Sequence, residues 1–370
     1  MKVLITGGAG FIGSHLTDRF IAQGYEVRVL DSLEPRVHPR GAQYMPSAVE
    51  FIHGNITDRE VLLSALQRVD IISHQAAYQD YMPDFSRFAS TNVTGTALLY
   101  ELIVQNRLPV KKIIVASSQA VYGEGQYRCA EHGIFQPAPR SSANLASAIW
   151  EIPCPQCGRL AQPSKLTEDY VNPYNQYAVS KLAEERMALG LGWLHGIPTV
   201  ALRYSITQGS RQSLYNQYSG ICRIFCSRAL KDQQLIVYED GKQTRDFVHV
   251  ADVVEANMLV LERSDADFTA FNVGSGRATT VLEYAEAVQH AVGRKVDVQL
   301  LGAYRRGDNR HSVSSIARLQ QLGWSPRHGL QKILRDFLQW IESCGGIPED
   351  IPDALSHMQA AGVVCRAAAV

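Results

Sequence analysis

The chain has 370 residues, of which 36 are basic, 36 are acidic and 46% are hydrophobic. The zero formal charge argues against a protein that binds nucleic acid or a membrane surface, because such proteins usually carry a basic excess. The hydrophobic share exceeds that of a disordered chain, and no apolar run approaches the ~18 residues of a membrane span. The seven cysteines follow no apolar run long enough for a signal peptide. We therefore expect a cytoplasmic globular enzyme of about two domains.

Strands and helices alternate over the first part of the chain. Apolar runs predict strands at 2–6, 26–30, 50–53, 71–74 and 112–116, and helical periodicity predicts helices at 11–23, 58–67 and 91–106. Parallel neighbouring strands need a connection of helix length, so this alternation predicts a Rossmann-type doubly wound parallel sheet of the α/β class.

The alternation stops between residues 124 and 172, where prolines and three cysteines cluster. We interpret this segment as an insertion into the first domain. A strand predicted at 199–204 closes the nucleotide-binding domain, which we place at 1–204. Shorter elements separated by glycine and proline predict a smaller α/β substrate domain at 205–343, and residues 344–370 are expected to form a peripheral tail.

A glycine-rich turn, TGGAGFIG, links the first predicted strand to the first predicted helix. Gly7 permits a tight turn, Gly10 lets the backbone approach a pyrophosphate, and Gly13 permits close packing of the helix on the sheet. The free N–H groups at the N-terminus of the helix, at Phe11 and Ile12, can then receive phosphate oxygens. This arrangement of strand, glycines and helix predicts a dinucleotide site.

Asp31 stands at the end of the second predicted strand. A carboxylate there can accept hydrogen bonds from the ribose diol of a dinucleotide and would repel a 2′-phosphate, which favours NAD over NADP. The alternative is that Asp31 caps a turn.

A tyrosine and a lysine lie one helical turn apart in Tyr177-Ala-Val-Ser-Lys181. A free tyrosine titrates near ~10 and is a poor base at neutral pH, whereas a nearby ammonium group and an oxidised nicotinamide ring would favour the phenolate. The same spacing separates Tyr238 from Lys242, but an Asp-Gly turn lies between them, so that pair is not expected to share a helical face. Tyr177 and Lys181 are therefore the candidate catalytic pair.

These motifs occur together with several others in one order along residues 1–340. The motifs are TGGAGFIG, Asp31, His74-Gln-Ala-Ala77, Asn92-Val-Thr-Gly-Thr96, Ser117-Ser-Gln-Ala-Val-Tyr-Gly123, Tyr177 with Lys181, and Arg245-Asp-Phe-Val-His-Val250. In this order they resemble the extended short-chain dehydrogenase/reductase superfamily, and within it the NAD-dependent nucleotide-sugar epimerases and dehydratases. The insertion, with its Cys-Pro-Gln-Cys-Gly motif, is similar to that of dTDP-L-rhamnose 4-epimerase-type members.

The resemblance implies NAD-dependent epimerisation of a nucleotide-diphosphate sugar at C4, through a transient 4-keto intermediate. It implies that Tyr177 is the base, that Ser118 holds the sugar hydroxyl and shares its proton with Tyr177, and that Lys181 bonds the nicotinamide ribose. Family dehydratases need the carboxylates of Thr-Asp-Glu after a strand, where this chain has Gln119 and Ala120. The alternatives are a nucleotide-sugar 4-reductase or dehydrogenase, a 4,6-dehydratase of the same family, and a redox-sensing regulator without catalysis.

The resemblance also assigns further cofactor contacts to this chain. Asn55 and Ile56 stand where family members contact adenine, although the family more often has Asp at position 55. Asn92 would support the nucleotide or a water network, unless it caps a helix. The remaining residues assigned to the cofactor are Ser32, Gln75, Ala76, Ala77, Ser117 and Tyr204.

The diphosphate of a nucleotide sugar needs guanidinium groups, whose planar forks suit phosphate oxygens. Gln79 replaces a lysine common in the family, and Ile206 stands where the family commonly has asparagine, so the hexose is left open. Each arginine could instead be a solvated surface residue. The residues at substrate positions of the family are Ser118, Gln119, Arg211, Arg245, Arg305 and Asp308.

Two closely spaced pairs, Cys129-x-x-His132 and Cys154-x-x-Cys157, offer four metal ligands within the insertion. Such a set suits one structural Zn²⁺, which would hold together a segment that lacks a core of its own. A closed set of four leaves no coordination position for catalysis. Unligated thiols are the alternative.

The resemblance further implies a homodimer, joined by a four-helix bundle of the helices at 91–106 and 177–194 of each subunit. The expected partner in the reaction is a nucleotide sugar. Neither a nucleic acid nor a membrane is expected to bind, because the chain has no net charge.

Overall fold

The computed structural model describes residues 1–42, 44–216, 220–348 and 358–367. Within these residues the strands are, in chain order, β1 (Lys2–Thr6), β2 (Glu26–Asp31), β3 (Glu50–His53), β4 (Ile71–His74), β5 (Lys112–Ser118), β6 (Tyr127–Cys129), β7 (Gly133–Phe135), β8 (Gln162–Pro163), β9 (Thr199–Tyr204), β10 (Ile206–Gln208), β11 (Leu235–Val237), β12 (Thr244–Arg245), β13 (Phe247–His249), β14 (Thr269–Val273), β15 (Thr279–Thr280), β16 (Val298–Leu300), β17 (Ala303–Arg305), β18 (His311–Ser312) and β19 (Val364–Arg366).

The helices vary from single turns to five turns. In chain order they are α1 (Phe11–Ala22), α2 (Arg59–Ala65), α3 (Phe85–Phe88), α4 (Gly95–Gln105), α5 (Ser142–Ala146), α6 (Gln176–His195), α7 (Ile221–Leu230), α8 (Val250–Glu262), α9 (Val281–Val292), α10 (Ala317–Gln321) and α11 (Leu330–Ser343). A π-helical stretch at Ala89–Thr94 joins α3 to α4. None of the described helices is both long and apolar enough to cross a membrane.

Seven strands form the central sheet in the order β14-β9-β5-β4-β1-β2-β3. All of its neighbouring strands pair in parallel. The side chains of Val3, Leu4 and Ile5 have no exposed surface, as expected for a strand of a parallel sheet that is covered on both faces. The predicted Rossmann-type doubly wound fold is confirmed.

Alternate side chains of each strand pack against helices on opposite faces of the sheet. Leu4 and Ile72 belong to an apolar cluster with Leu99 of α4, whereas Val3 packs in another cluster with Phe20 of α1. Helices α2, α4 and α6 therefore cover one face, and α1 and α8 cover the other. The carboxyl ends of the central strands lie at one edge, where the loops that follow them meet.

The seventh strand of this sheet comes from beyond the predicted domain boundary. Strand β14 pairs in parallel with β9 along its whole length, from Thr269 opposite Val200 to Val273 opposite Tyr204. Helix α8, which precedes β14, packs against α1. The boundary placed at residue 204 is therefore corrected, because the chain leaves the nucleotide-binding sheet after β9 and returns to it with α8 and β14. A separate apolar cluster joins α7, α9 and α11.

The insertion and the tail both have secondary structure. Within the segment interpreted as an insertion at 124–172, β6 pairs antiparallel with β7 and with β8. The tail strand β19 pairs antiparallel with β17, and Met358 beside it is buried. Parts of the tail predicted at 344–370, namely 349–357 and 368–370, lie outside the described residues. The described end of the tail is thus attached to the second domain by a short sheet.

Candidate active site

The glycine turn between β1 and α1 packs so closely that side chains are excluded from it. A Cβ atom on Gly7 would lie 2.7 Å from the Cα atom of Ala76, and one on Gly13 would lie 2.2 Å from the carbonyl oxygen of Gly7. Gly7 also has a φ of +67°, a conformation that favours glycine. The turn, the start of α1 and the segment after β4 are therefore in direct backbone contact.

Helix α1 begins with free hydrogen-bond donors. Gly10 is its N-cap, and none of the described side chains caps it. The N–H groups of Phe11 and Ile12 in the first turn consequently have no helical partner. They can bind an anion, which the positive end of the helix dipole also favours. Together with the close packing of the glycines, these donors fit the pyrophosphate of a dinucleotide.

Asp31 ends β2, and its carboxylate is bonded to the backbone on both sides. Oδ2 accepts a hydrogen bond from the N–H of Ala9 at 2.9 Å, and Oδ1 accepts one from the N–H of Leu33 at 2.9 Å. Asp31 therefore does cap a turn, which was the alternative interpretation. Each oxygen retains a lone pair for a ribose hydroxyl, so the cap and the predicted contact with NAD are compatible.

The other residues predicted near adenine differ in exposure. Ser32 and Asn55 are exposed, and Oδ1 of Asn55 accepts a hydrogen bond from the N–H of Thr57 at 3.1 Å. Ile56 is 4% exposed and packs in the core against Gly95. Its side chain thus belongs mainly to the core, and its contact with adenine stays a prediction.

Helix α6 brings the catalytic candidates to the edge of the sheet. Asn175 caps the helix, with its Oδ1 accepting a hydrogen bond from the N–H of Ala178 at 2.8 Å. Ser118, which ends β5, lies close enough to the Tyr177 hydroxyl for its side chain to lower the pKa of the phenol. Lys181 follows one turn later and is 1% exposed. Two elements that are distant in sequence thus bring the three predicted groups together.

Opposing effects act on the acidity of the Tyr177 phenol. Burial raises its pKa, whereas the positive charge of Lys181 and the hydrogen bond from Ser118 lower it. Burial is the largest of these effects, so the expected lowering by the ammonium group is present but outweighed. A second positive charge beside the phenol, such as an oxidised nicotinamide, would add to the lowering of its pKa.

The other Tyr–Lys pair with the same spacing does not share a helical face. Tyr238 and Lys242 lie in a turn between β11 and β12, as expected.

Lys181 has a partner that was not among the predicted residues. Its Nζ lies 2.5 Å from Oε2 of Glu184, and both side chains are buried. Burial raises the pKa of Glu184 to about 7, although Lys181 opposes this shift. The spacing of three residues on one helix is the signal that could have revealed the pair.

Asn92 does not cap a helix, and its predicted support of the nucleotide or of a water network stays a prediction. It lies inside the π-helical stretch and not at a helix cap, and it has no exposed surface. Its Oδ1 accepts a hydrogen bond from the N–H of Tyr78 at 2.7 Å, and its Nδ2 donates to Oγ of Ser180 at 2.9 Å. Asn92 therefore ties the segment after β4 to α6, next to the catalytic pair.

The side chains of Ser117 and Tyr204, both assigned to the cofactor, bond within the protein. Ser117 donates to Oε2 of Glu185 at 2.6 Å, and Arg203 donates to both oxygens of the same carboxylate. The Tyr204 hydroxyl donates to Oδ1 of Asn257 at 3.1 Å. These side chains hold β5, β9, α6 and α8 together, and their contact with a cofactor stays a prediction.

The segment after β4, which contains Gln75, Ala76 and Ala77, borders the glycine turn, and its contact with the cofactor stays a prediction. The N–H of Ala76 donates to Oγ1 of Thr6 at 3.3 Å, Gln75 donates to Ser73, and Ala77 is exposed. This segment keeps its backbone against the turn where the dinucleotide would bind.

Gln119 follows Ser118 and connects the two domains. Its Oε1 accepts a hydrogen bond from the hydroxyl of Ser312 in β18 at 3.0 Å, and it is 9% exposed. The N–H of Ala120 donates to Oγ of Ser118 at 3.1 Å. The positions after Ser118 therefore position the serine and contain no carboxylate.

Arg245, Arg305 and Asp308 form one charged group. Arg305 donates from Nε and Nη2 to Oδ2 of Asp308, at 3.1 and 2.7 Å, and Nη2 of Arg245 lies 3.8 Å from the same oxygen. The guanidinium of Arg305 also lies 4.6 Å from the ring centre of Tyr81. The loop that carries Asp308 lies near the start of α6, because a Cβ on Gly307 would be 3.8 Å from the Cβ of Asn175.

Arg211 lies elsewhere. Its Nη2 pairs with Oδ2 of Asp18 at 2.7 Å, and its Nη1 donates to the carbonyl oxygen of Ser14 at 3.2 Å. Both partners belong to α1. The structure therefore does not bring Arg211 to the Arg245 group, and its contact with the substrate stays a prediction.

A buried arginine of the insertion was not predicted from the sequence. Arg140 donates to Oε1 of Glu124 at 2.9 Å, to Oε2 of Glu239 at 3.0 Å and to the carbonyl oxygen of Asp308 at 2.8 Å. Its side chain is 4% exposed. These partners are 16, 99 and 168 residues away, so no local pattern could reveal them. Arg140 fixes the loop that carries Asp308.

The predicted metal ligands form one group, which we call the Cys/His cluster: Cys129, His132, Cys154 and Cys157. Their ligand atoms all lie within 4.8 Å of one another. Sγ of Cys129 lies 3.7 Å from Sγ of Cys157 and 3.6 Å from Nδ1 of His132, and Sγ of Cys154 lies 3.5 Å from that nitrogen. The backbone N–H of His132 lowers the pKa of Cys129 to about 7. The group therefore has four converging donors and a thiol that ionises readily.

The packing of the glycine turn generates a prediction. In Gly13→Ala the new methyl group collides with the carbonyl of Gly7, so the dinucleotide affinity should fall by at least about tenfold, since 1.4 kcal/mol suffices for that change. The matched control is Gly190→Ala in α6, where a Cβ would meet nothing within 4 Å. The control should keep its affinity and gain up to about 1 kcal/mol in unfolding free energy. Calorimetric titration with NAD measures the difference, and equal affinities would contradict the prediction.

Comparison with known proteins places the chain in a family. The model of the NAD dependent epimerase/dehydratase family matches residues 3–142 and 154–274. A dTDP-L-rhamnose 4-epimerase of Burkholderia thailandensis is 34% identical over 349 residues, covering 92% of this chain and 94% of that protein. A putative UDP-glucose 4-epimerase of Methanocaldococcus jannaschii is 28% identical, covering 92% of this chain and 98% of that protein.

Solved structures agree with this assignment. UDP-glucose 4-epimerase of Thermotoga maritima, determined with UDP-glucose, is 28% identical with a TM-score of 0.75, covering 93% of this chain and 99% of that one. UDP-glucose 4-epimerase of Thermus thermophilus, determined with NAD, is 30% identical with a TM-score of 0.72, covering 92% of this chain and 98% of that one. The chain belongs to the NAD-dependent epimerase/dehydratase family.

Proposed function

We propose that this protein epimerises a nucleotide-diphosphate sugar at C4 through a transient 4-keto intermediate, with NAD as its cofactor. The observation that carries this proposal is that Ser118 and Lys181, the latter one helical turn away, lie close enough to Tyr177 to lower the pKa of its phenol against the effect of burial. The 4-epimerases similar to this chain act on dTDP-L-rhamnose and UDP-glucose by their names, which supports the reaction type.

The residues of this chain move a proton at the sugar C4 hydroxyl. A bound NAD supplies reversible hydride chemistry at a carbon atom. Tyr177, as a phenolate, takes the proton of the hydroxyl, and Ser118 bonds the oxygen and keeps it beside the phenol. The 4-keto sugar then rotates in the site, so that its opposite face receives the hydride. The Tyr177 phenol returns its proton to the same oxygen. The net reaction is redox-neutral, because the sugar regains both the proton and the hydride.

Lys181 acts on this proton transfer through its charge. The ammonium group lowers the pKa of the Tyr177 phenol against the opposing effect of burial. Because Lys181 is almost fully buried, its field on the phenol is little screened by water.

The residues after Ser118 favour epimerisation over dehydration. Elimination of water across C5 and C6 needs an acid and a base, whereas Gln119 and Ala120 carry neither. Gln119 also has its carbonyl oxygen bonded to Ser312. A net reductase or dehydrogenase remains the second candidate of the same class and would change the redox state of the nicotinamide in every cycle.

We assign the diphosphate of the substrate to Arg245 and Arg305. Both guanidinium groups lie beside Asp308 near the catalytic helix, and Arg305 is stacked on Tyr81. Two adjacent guanidinium groups suit the charge and the planar oxygens of a diphosphate.

We further propose a homodimer, a cytoplasmic location and one structural Zn²⁺. Apolar side chains of α6 such as Trp193 and Leu194 are exposed, which supports a covered face between two copies of α4 and α6. All seven cysteines are free, as in a reducing compartment. The converging donors of the Cys/His cluster support the zinc ion.

Replacement of the proposed base tests the function. Tyr177→Phe removes the proton acceptor, so kcat should fall at least about 10²-fold while NAD still binds. The matched control is Tyr25→Phe, whose ring packs on Phe20 away from the site and which should turn over normally. Products from a panel of dTDP-, UDP- and GDP-sugars, resolved by NMR, provide the measurement. Full activity in Tyr177→Phe would contradict the proposed base, and steady accumulation of NADH would contradict a redox-neutral reaction.

Removal of a proposed phosphate ligand tests the substrate class. Arg245→Ala should weaken binding of UDP or dTDP at least about tenfold, because a charged hydrogen-bond donor is lost, and should leave NAD affinity unchanged. Arg263→Ala removes an exposed arginine paired with Asp265 and serves as the control. Isothermal titration gives both affinities. Unchanged nucleotide affinity in Arg245→Ala would exclude this arginine from the site.

A further inference from the structure

The Cys/His cluster has the dimensions of a tetrahedral zinc site. Four donors around Zn²⁺ with Zn–S bonds of about 2.3 Å have neighbouring sulfurs about 3.75 Å apart, and an imidazole nitrogen about 3.5 Å from each sulfur. Three of the six separations among Cys129, Cys154, Cys157 and His132 are 3.7, 3.6 and 3.5 Å, and all six are within 4.8 Å. A disulfide would bring two sulfurs to about 2.05 Å, which no pair in the cluster approaches.

A metal would stabilise the insertion, whose own apolar core is small. The apolar cluster within it comprises Tyr127, Ile152 and Ala161, with Phe135 packed against them. Three short strands around so few apolar side chains resemble the small domains that fold only with a metal or disulfides.

The cluster is joined to the substrate side by a short ladder. The N–H of Cys154 donates to the carbonyl oxygen of Arg159 at 2.8 Å, and the N–H of Ala161 donates to the carbonyl oxygen of Ile152 at 3.0 Å. Glu151 directly precedes this ladder. Its position therefore depends on the turn that carries Cys154 and Cys157.

Glu151 in turn holds the segment that binds Arg245. Its Oε1 accepts from Nη2 of Arg310 at 2.6 Å, and its Oε2 lies 3.2 Å from Nε2 of His311. Arg310 has no exposed surface, and its carbonyl oxygen accepts a hydrogen bond from Nη1 of Arg245 at 3.0 Å. The neighbouring carbonyl oxygen of Asn309 accepts one from Nη2 at 2.9 Å.

We propose that one Zn²⁺ bound by the Cys/His cluster sets the affinity for the nucleotide sugar, by fixing Glu151 and through it the Arg310 segment that orients Arg245. Zinc has no part in the chemistry at C4. This inference depends on the proposed function in one respect only, namely that the ligand near Arg245 is a nucleotide sugar. Loss of the metal would leave Glu151 free to move, so the Arg310 guanidinium would lose one of its carboxylate partners. Arg245 would then be displaced, because the backbone at Arg310 orients it. The NAD site on β1 and β2 would stay intact.

Metal analysis combined with titration tests this proposal. Protein purified without chelator should contain about one zinc per chain, and its removal by a chelator should weaken UDP or dTDP binding about tenfold without changing NAD affinity. Zinc added back should restore the affinity. Cys157→Ser should lose the metal, whereas Cys344→Ser, an exposed cysteine outside the cluster, should keep it. Glu151→Gln should keep the metal and still bind the nucleotide more weakly, which separates the ion pair from folding of the insertion.

Zinc content and the two affinities together decide whether the zinc proposal stands. Protein without zinc, or zinc removal that leaves nucleotide affinity unchanged, would overturn the proposal. An equal loss of NAD affinity would show general unfolding and would overturn it as well. Because metal content and binding are measured without turnover, failure of the proposed reaction would leave these results unaffected.

A second inference concerns Glu184, and it rests on the proposed role of Tyr177. Oε2 of Glu184 is bonded to Lys181, and Oε1 is buried without a hydrogen-bond partner among the described residues, 4.0 Å from Nε2 of His74. That imidazole is held by hydrogen bonds to Thr6 and Thr96. Burial lowers the pKa of His74 to about 3, so the ring is neutral and does not neutralise the carboxylate.

We infer that Glu184 is a positioning residue, which holds the Lys181 ammonium group and weakens its effect on Tyr177. The charged and titratable groups around Glu184 are Lys181 and Glu185 on its own helix, His74 from β4 and Tyr100 from α4. Those around Tyr177 are Lys181, Glu184 and Tyr81. Glu184 raises the pKa of Tyr177, so its removal leaves the ammonium group to act with less opposition.

The pH profile of kcat/KM in Glu184→Gln tests this role. Since the phenolate is the active form, the rising limb of the Glu184→Gln profile should lie at lower pH than that of the wild type. Glu184→Asp, which restores the carboxylate, should return the limb towards the wild-type position. The control Glu185→Gln loses its bond to Arg203 and should lower the melting temperature without moving the profile. An unmoved limb in Glu184→Gln would overturn the inference. If Glu184→Gln fails to fold, Glu184→Met, which is uncharged and of similar length, should shift the limb in the same direction, and no shift in it would overturn the inference. If Tyr177→Phe is inactive and the limb of Glu184→Gln does not move, the inference about Glu184 fails while the proposed function stands.

Discussion

A buried ammonium group is the constraint on which the site depends. Lys181 is 1% exposed, with Tyr177 one turn before it and Glu184 one turn after it on the same helix. A buried charge needs a partner, so the position of Lys181 is determined by Glu184 while its field acts on the phenol. The helix itself is held to the sheet by the pair of Glu185 and Arg203. Catalytic geometry and fold stability therefore depend on adjacent residues of α6.

The substrate side is assembled differently, from segments that are far apart in the chain. Arg245 is oriented by backbone carbonyls of 309–310, and the insertion holds that segment through Arg140 and Glu151. The nucleotide side consists of local motifs, whereas the sugar side depends on contacts between the insertion and the second domain. If Arg245 binds the substrate as we propose, variation in the insertion would alter substrate affinity without disturbing the site predicted to bind NAD.

The sequence revealed features whose physical cause is local. Strands buried on both faces are continuous apolar runs, and the glycine turn combines close packing with unpaired N–H groups in one short segment. Roles that depend on distant partners were not predictable. Asn92 bonds Ser180, 88 residues later, and Ser117 bonds Glu185, 68 residues later. The boundary at 204 was wrong for the same reason, since β14 joins the sheet through pairing with β9.

The fate of the hydrogen on C4 tests the central claim most directly. A nucleotide sugar carrying deuterium at C4, incubated with the enzyme in ordinary water, should give an epimer that retains the deuterium at C4, because the hydride leaves and returns without contact with solvent. Loss of the label to water would mean that the carbon is deprotonated, and it would contradict a mechanism in which Tyr177 moves only the proton of the hydroxyl.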